Sequence, residues 1–309
     1  MRHSACLIFG LGLLSKSAFA EEQNFENFLL KSHSIVSPSQ YYQVKGGRFE
    51  GLASSLSGSL KDKGPSVGSV NLSGYEVAAG VAQGVINNQL VVAAEVDTNR
   101  SSAKFGTATN RVTTTEIKPA VALSIASMVS VGAAILFVND EEKLTGADAV
   151  TTSFNVFTLG ATAHLDAWEA SFAVTTENKD DVKTQANSPQ TLALHGRYKF
   201  NPALTLGGVY SQRDFAHLAP PRSTAEAEAN YGLVLESALA DHAAVEVAFI
   251  STNNRLGLKD DAATTIDLKG FYKVNPSLQV GAWLVNFSSS SDAVELQLNK
   301  FGLLASVNF

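Results

Sequence analysis

Charged side chains recur at every second position in several stretches of this sequence. "AAEVD" sets Glu95 and Asp97 two apart, "TEIKP" does the same for Glu116 and Lys118, and "HGRYK" for His195, Arg197 and Lys199. "IDLK" repeats it with Asp267 and Lys269, while Arg213 and Glu246 stand on alternating stretches of their own. A spacing of two places side chains on one face of an extended strand, with the apolar Val96, Ile117, Leu194, Tyr198, Ile266 and Leu268 on the other. Around a closed wall such groups would line a passage. Their chemistry would then be electrostatic, because low-dielectric walls focus the field of fixed charges on a solute between them. The acidic set comes from the third and fourth alternating segments and the basic set from the eighth and ninth. In a ring of fourteen these lie nearly opposite each other. Asp and Glu together number 29 against 23 for Lys and Arg, which predicts a mild preference for cations. The plainer alternative is that these groups only solvate and cross-link an interior.

Catalysis is poorly served. His164 and His242 fall beside short turns, His217 lies in the polar stretch "FAHLAPP", and His195 has no serine in a recognisable relation to it. No His, Asp and Glu gather at metal-ligand spacing, and no glycine-rich phosphate loop occurs. The single cysteine, Cys6, lies within the leader described next. The sequence therefore predicts no enzyme, no cofactor and no metal. The net charge of −6 gives no electrostatic case for nucleic acid.

The elements that must position the charged residues are strands. Residues 1–20 read as a cleaved secretory signal, with Arg2 and His3 ahead of the apolar "CLIFGLGLL" and the small-residue end "SAFA". Residues 21–49 do not alternate. They hold helically spaced Phe25, Phe28 and Leu29, and are assigned as a periplasmic tail or a plug in a lumen. From about residue 50 to 309 the chain alternates in fourteen segments: 50–60, 70–85, 89–98, 112–125, 128–138, 150–164, 168–177, 190–200, 203–213, 226–239, 242–252, 262–274, 278–288 and 296–309. Segments 70–85 and 150–164 change phase midway, which calls for a bulge or a strand end outside the membrane. Pro119 sits inside a segment and forfeits a ladder bond. The connections take turns between two classes. "NNQ", "SMV", "DAW", "NPA", "ADH" and "NPS" are short. "KDKGPSVGS", "NRSSAKFGTATN", "NDEEKLTGAD", "NKDDVKTQANS", "DFAHLAPPRSTA", "NNRLGLKDD" and "SSSSDAV" are long and polar.

Short turns at one end and long loops at the other describe an all-β, transmembrane, antiparallel up-and-down barrel of about fourteen strands, with twelve or sixteen as the bounds. A soluble β-sandwich would also alternate, but without strands of this length or this regular division of its turns. The final stretch "FGLLASVNF" puts Phe301, Leu303, Val307 and Phe309 on one stripe. It resembles the C-terminal signature of Gram-negative outer-membrane β-barrel proteins. That resemblance implies residence in the outer membrane among its lipids, and recognition of the stripe by the barrel-assembly machinery. Trp168, Phe200 and Phe309, near the short turns, fit either an interfacial aromatic girdle or ordinary sheet packing. Nothing specifies an oligomeric state.

Fourteen strands leave room for a channel unless something fills it. The expected function is passive diffusion of small polar solutes or ions, selected by width and lumen charge, in the manner of a porin. One alternative is uptake of hydrophobic compounds through a plugged barrel. It rests on similarity to the fatty-acid transporter family in strand number and in having a segment ahead of the barrel. A second alternative is a structural or adhesive barrel acting through its long loops.

Overall fold

The computed structural model describes residues 37–309 other than 45, 64–68, 177–188, 202, 215–225, 241, 256–258 and 292–293. The expected signal segment, the helically spaced phenylalanines and His217 lie outside the described residues. A 3₁₀ helix, Pro38–Gln43, precedes fourteen strands: β1 Gly47–Asp62, β2 Val70–Val85, β3 Leu90–Phe105, β4 Ala108–Ala126, β5 Val129–Leu144, β6 Val150–His164, β7 Trp168–Thr175, β8 Gln190–Asn201, β9 Leu204–Asp214, β10 Glu228–Ala240, β11 Ala243–Asn253, β12 Ala262–Lys273, β13 Leu278–Ser290 and β14 Val294–Asn308. Each strand pairs antiparallel with its sequence neighbours, and β1 pairs with β14 from Arg48↔Asn308 to Asp62↔Val294. The sheet is a closed barrel. Closure gives every strand a hydrogen-bonded neighbour on both sides, which hydrocarbon requires. No described helix is long and apolar enough to cross a membrane.

Alternation sets the two faces of the wall. Val77, Val81, Val92, Val96, Ile117, Phe137, Phe157, Leu159, Leu233, Phe249, Leu284, Phe301 and Leu303 are exposed on the outward face. Their inward neighbours are buried or half-buried. Trp168, Tyr198 and Phe200 meet ring to ring at 4.5 and 4.7 Å on the outward face beside the short turns. Trp168 is 59%, Phe200 56% and Phe309 69% exposed, as an interfacial girdle requires.

One expectation about local structure changes and another is resolved. "NRSSAKFGTATN" is not a loop. It continues β3 and β4 to a two-residue turn at Gly106 and Thr107, where Gly106 takes a left-handed φ of +58°. The phase changes resolve to the second of their two expected causes, a strand end outside the membrane, and not to a bulge. β2 and β6 run through without a register shift. What reverses is which face is apolar. Toward the long loops, the outward positions become polar: Asn71 and Ser73 on β2, Thr151, Ser153 and Asn155 on β6, and Gln297 and Asn299 on β14. The inward positions there become apolar: Val70 and Leu72, Phe154 and Val156, and Leu296 and Leu298. The strands leave the bilayer there and continue into water, so the outside needs polar groups. Pro119 acts as expected: the β4–β5 ladder is interrupted between Ile117↔Phe137 and Ala120↔Ala134.

Candidate functional site

The interior divides into three zones along the barrel. At the long-loop end, Leu56, Leu60, Val70, Ala103, Phe287, Leu296 and Leu298 form one buried cluster on the inward face, joined by Ala263 and flanked by Leu72 and Val294. These come from β1, β2, β3, β12, β13 and β14, so one side of the lumen mouth is apolar.

Below it lies a belt of charges on the same side. Lys300 Nζ sits 2.5 Å from Glu76 Oε2, and Ser54 Oγ donates to the same carboxylate at 3.1 Å. Lys300 Nζ also lies 4.1 Å from the ring centre of Trp283, with Lys269 Nζ at 5.4 Å. Lys269 in turn stands 3.6 Å from Glu246 and 3.4 Å from Asp267. All of these groups are buried. Cations over an indole face, each next to a carboxylate, compensate one another's desolvation.

The short-turn end is occupied by the segment Ser37–Val44. Its 3₁₀ helix starts locally: Ser37 Oγ accepts from Ser39 N–H, Gln40 Oε1 accepts from Ser37 N–H at 3.0 Å, and Pro38 stands in the first turn. The barrel is shaped to receive it. Tyr41 and Val44 pack against Ala82, Val91, Ala93, Ala120, Ala122 and Ala134, all small inward residues. Gly132 and Gly160 leave space for the helix backbone. A Cβ on Gly132 would fall 2.3 Å from Ser39 N, and one on Gly160 would fall 1.9 Å from Ser37 Oγ.

Polar contacts then fix the helix. Ser39 Oγ bonds Thr162 Oγ1 at 2.6 Å, and Ser130 Oγ donates to Ser39 O at 3.1 Å. Glu169 takes three donors from the helix: Gln40 Nε2 at 2.8 Å, Tyr42 OH at 2.8 Å and Gln43 Nε2 at 2.9 Å. Tyr41 OH donates to Glu95, which also pairs with Lys118 at 3.1 Å. Burial, then the nearby Glu95 carboxylate, holds the Tyr41 phenol protonated well above its ordinary range, and burial and Glu169 do the same for Tyr42. Both hydroxyls therefore stay donors. Tyr42 stacks on His164 with ring centres 4.0 Å apart. Beside this stack a cavity of about 340 Å³ is lined by Glu169, Arg197, Lys199, Glu236 and Phe271 among others.

Every residue expected to line a pore stands on an inward register position. The ladders place Asp97 opposite Glu116, Glu95 opposite Lys118, Lys199 opposite Thr205, and Glu246 opposite Lys269. They are not arranged as an acidic wall facing a basic one. Arg197 lies 3.6 Å from Glu169 and 3.5 Å from Glu236, Arg213 lies 3.1 Å from Glu228, and Lys118 pairs with Glu95. His195 lies 3.4 Å from Gln40 Nε2. Local pairing cancels most of the field that separated walls would have produced. Lys199 is exposed at the short-turn end. Glu169, the residue that grips the helix, went unnoticed in the sequence. Its signal was present: Trp168 faces lipid, so the next residue must face inward. Glu76, Lys300 and Trp283 were missed in the same way. Phe301, Leu303, Val307 and Phe309 are 51%, 59%, 40% and 69% exposed on the outward stripe.

No protein-family model matches the sequence, and no curated protein matches it. Solved structures do share the fold. The toluene transporter TbuX of Ralstonia pickettii superimposes with a TM-score of 0.75 at 11% identity, over 93% of this chain and 99% of that one. The toluene transporter TodX of P. putida gives 0.71 at 9% identity, over 90% and 94%. A Pseudomonas aeruginosa FadL homologue gives 0.69 at 10% identity, again over 90% and 94%. These findings correct the expectation of a mildly cation-preferring porin for polar solutes. The transporters among these neighbours are described as carrying toluene. The lumen itself holds paired charges, an apolar mouth and a docked helix in place of an open charged channel. The described residues form a closed fourteen-stranded antiparallel β-barrel with the fold of the FadL homologue and of the toluene transporters TbuX and TodX.

Proposed function

We propose that this barrel takes up small hydrophobic compounds, of the size and character of monoaromatic hydrocarbons, through its long-loop mouth. One observation carries the proposal: on the side formed by β1–β3 and β12–β14 the inward face at that mouth is apolar, although the outward face at the same level is polar. A passage for water-soluble solutes has no use for Phe287, Leu296 and Leu298 on its inner wall. An apolar solute does, because each such contact removes apolar surface from water. The toluene carried by structurally similar transporters fits this chemistry.

The segment 21–49 acts as a plug through Ser37–Val44, whose docking against β3–β7 supports that role. β1 starts at Gly47, so the plug joins the barrel without a spacer domain. The lumen charges Glu95, Lys118, His195 and Arg197 hold the plug, and Asp97, Glu116, Arg213, Glu246, Asp267 and Lys269 cross-link the wall. Lys199 lies at the exit. Residues 1–20 direct export and are cleaved. The stripe ending at Phe309 is read by the barrel-assembly machinery, a role favoured by its exposure.

The test is a paired assay on the refolded protein. Tryptophan fluorescence follows toluene binding, since Trp283 lies below the apolar mouth, and planar-bilayer conductance follows ion flow. The proposal expects saturable toluene binding and little steady conductance, with stable open steps after deletion of residues 21–44. Steady large conductance of the intact chain with no toluene binding contradicts it.

A further inference from the structure

The outward surface above the bilayer on the β3–β5 side carries cations that the lumen and the plug leave unused. Beyond the last apolar outward residues Val96, Ile117 and Phe137, the same face presents Arg100 and Lys104 on β3, Arg111 on β4 and Lys143 on β5. Register sets them side by side. Arg111 is directly opposite Lys143 across one ladder and opposite Ser102 across the other. Arg100 is opposite Tyr75, an exposed aromatic at the edge of the apolar belt. Lys104, Arg111 and Lys143 are exposed and Arg100 is half-buried.

Like charges directly opposite in a ladder destabilise a sheet. Here the cations outnumber the outward acids. Among the described residues none of these four side chains makes an ion pair or a hydrogen bond. The nearby carboxylates of Glu116, Asp140 and Glu142 face inward, where Asp140 accepts from Thr114 and Glu142 from Asn110. Glu141 is the outward acid on this surface. The long-loop halves of β7–β13 present no outward lysine or arginine among their described strand residues, so the charge is concentrated on one side of the barrel.

We infer that Arg100, Lys104, Arg111 and Lys143 bind the phosphates of a phosphorylated lipid headgroup in the outer leaflet. The patch begins just beyond the apolar belt, so a lipid whose chains lie along Val96, Ile117 and Phe137 brings its headgroup to these cations. Arginine and lysine together supply the forked and point-charge donors that phosphate accepts. An anion between Arg111 and Lys143 also turns a repulsive pair into a bridged one.

The experiment titrates the full chain, folded in neutral detergent, with diphosphorylated lipid A and with its dephosphorylated form, and counts bound lipid by native mass spectrometry. The diphosphorylated form should bind the more tightly. Arg111→Gln with Lys143→Gln should weaken that binding about 25-fold, at about fivefold per basic residue near an anionic headgroup. Lys61→Gln, whose ladder partner is Glu295, should leave it unchanged. Equal binding of both lipids, no loss in the double variant, or competition by inorganic pyrophosphate as strong as by lipid would each overturn the inference. If the double variant loses heat-modifiable mobility on gels, Arg100→Gln with Lys104→Gln gives the same reading.

Discussion

The two ends of the lumen are built from the same alternating strands and differ in almost every other respect. At the long-loop end, large apolar side chains from β1, β2, β13 and β14 meet one another. At the short-turn end, alanines and glycines leave a space, and Tyr41, Gln40 and Tyr42 fill it from a separate piece of chain. A wall that packs against itself needs bulk, whereas a wall that receives a foreign segment needs small residues and placed hydrogen-bond partners. The belt of Glu76, Lys300, Trp283 and Lys269 separates the two. Under the proposed function the two ends divide the work: the upper end selects by transfer out of water, and the lower end closes the barrel.

Breaking the boundary should have the largest effect. Lys300→Met leaves Glu76 buried without its cation, a change that typically costs on the order of 3–5 kcal/mol. The urea midpoint of the refolded barrel should fall accordingly, and the double variant Lys300→Met with Glu76→Met should recover most of the loss. Next comes the lower end. Glu169→Ala removes an acceptor of three hydrogen bonds from the helix and exposes none of the wall to lipid. At about 1.5–3 kcal/mol for a bond to a charged group, the helix should leave its seat. Gly132→Leu should unseat it sterically. Both should raise conductance to sugars and ions while leaving barrel stability nearly unchanged, and a single cysteine at Tyr41 should become open to thiol reagents. At the upper end, Phe287→Asp should weaken toluene binding about tenfold, since burying such a side chain is worth roughly 1.5–3 kcal/mol and only part of that contacts a solute. The docked helix should be untouched. The smallest effect belongs to Lys199→Gln. It is exposed at the exit, and stability and uptake should stay within about 0.5 kcal/mol of the parent.

Much of this comparison was legible in the sequence, though one part was misread. Strict alternation around Ile117, Leu194 and Leu268 assigned faces correctly, and the eleven charges expected inside all fall on inward positions. Strand number and closure followed from the division of short and long connections. The phase reversals in β2 and β6 were visible too, and of the two expected causes it is the strand end outside the membrane, not the bulge, that accounts for them. They mark the level at which the outside turns from lipid to water and the lumen from polar to apolar. The hairpin through Gly106 was hidden because polar strands above a membrane look like loops. The charge pairing was illegible for a different reason. Arg197 meets Glu236 from two strands away, and no spacing along the chain announces it. The seat of the helix was equally silent, since Gly132 and Gly160 acquire meaning only when Ser37 and Ser39 arrive beside them.

The central claim is that the barrel passes small apolar compounds and is closed to polar ones. The most direct test measures both in the same cells. A host strain lacking its own hydrocarbon channels, with and without this protein, is given labelled toluene and a labelled pentose. The account predicts faster toluene uptake with unchanged pentose uptake, and loss of the toluene gain in Phe287→Asp. Faster pentose entry with no change for toluene would contradict it.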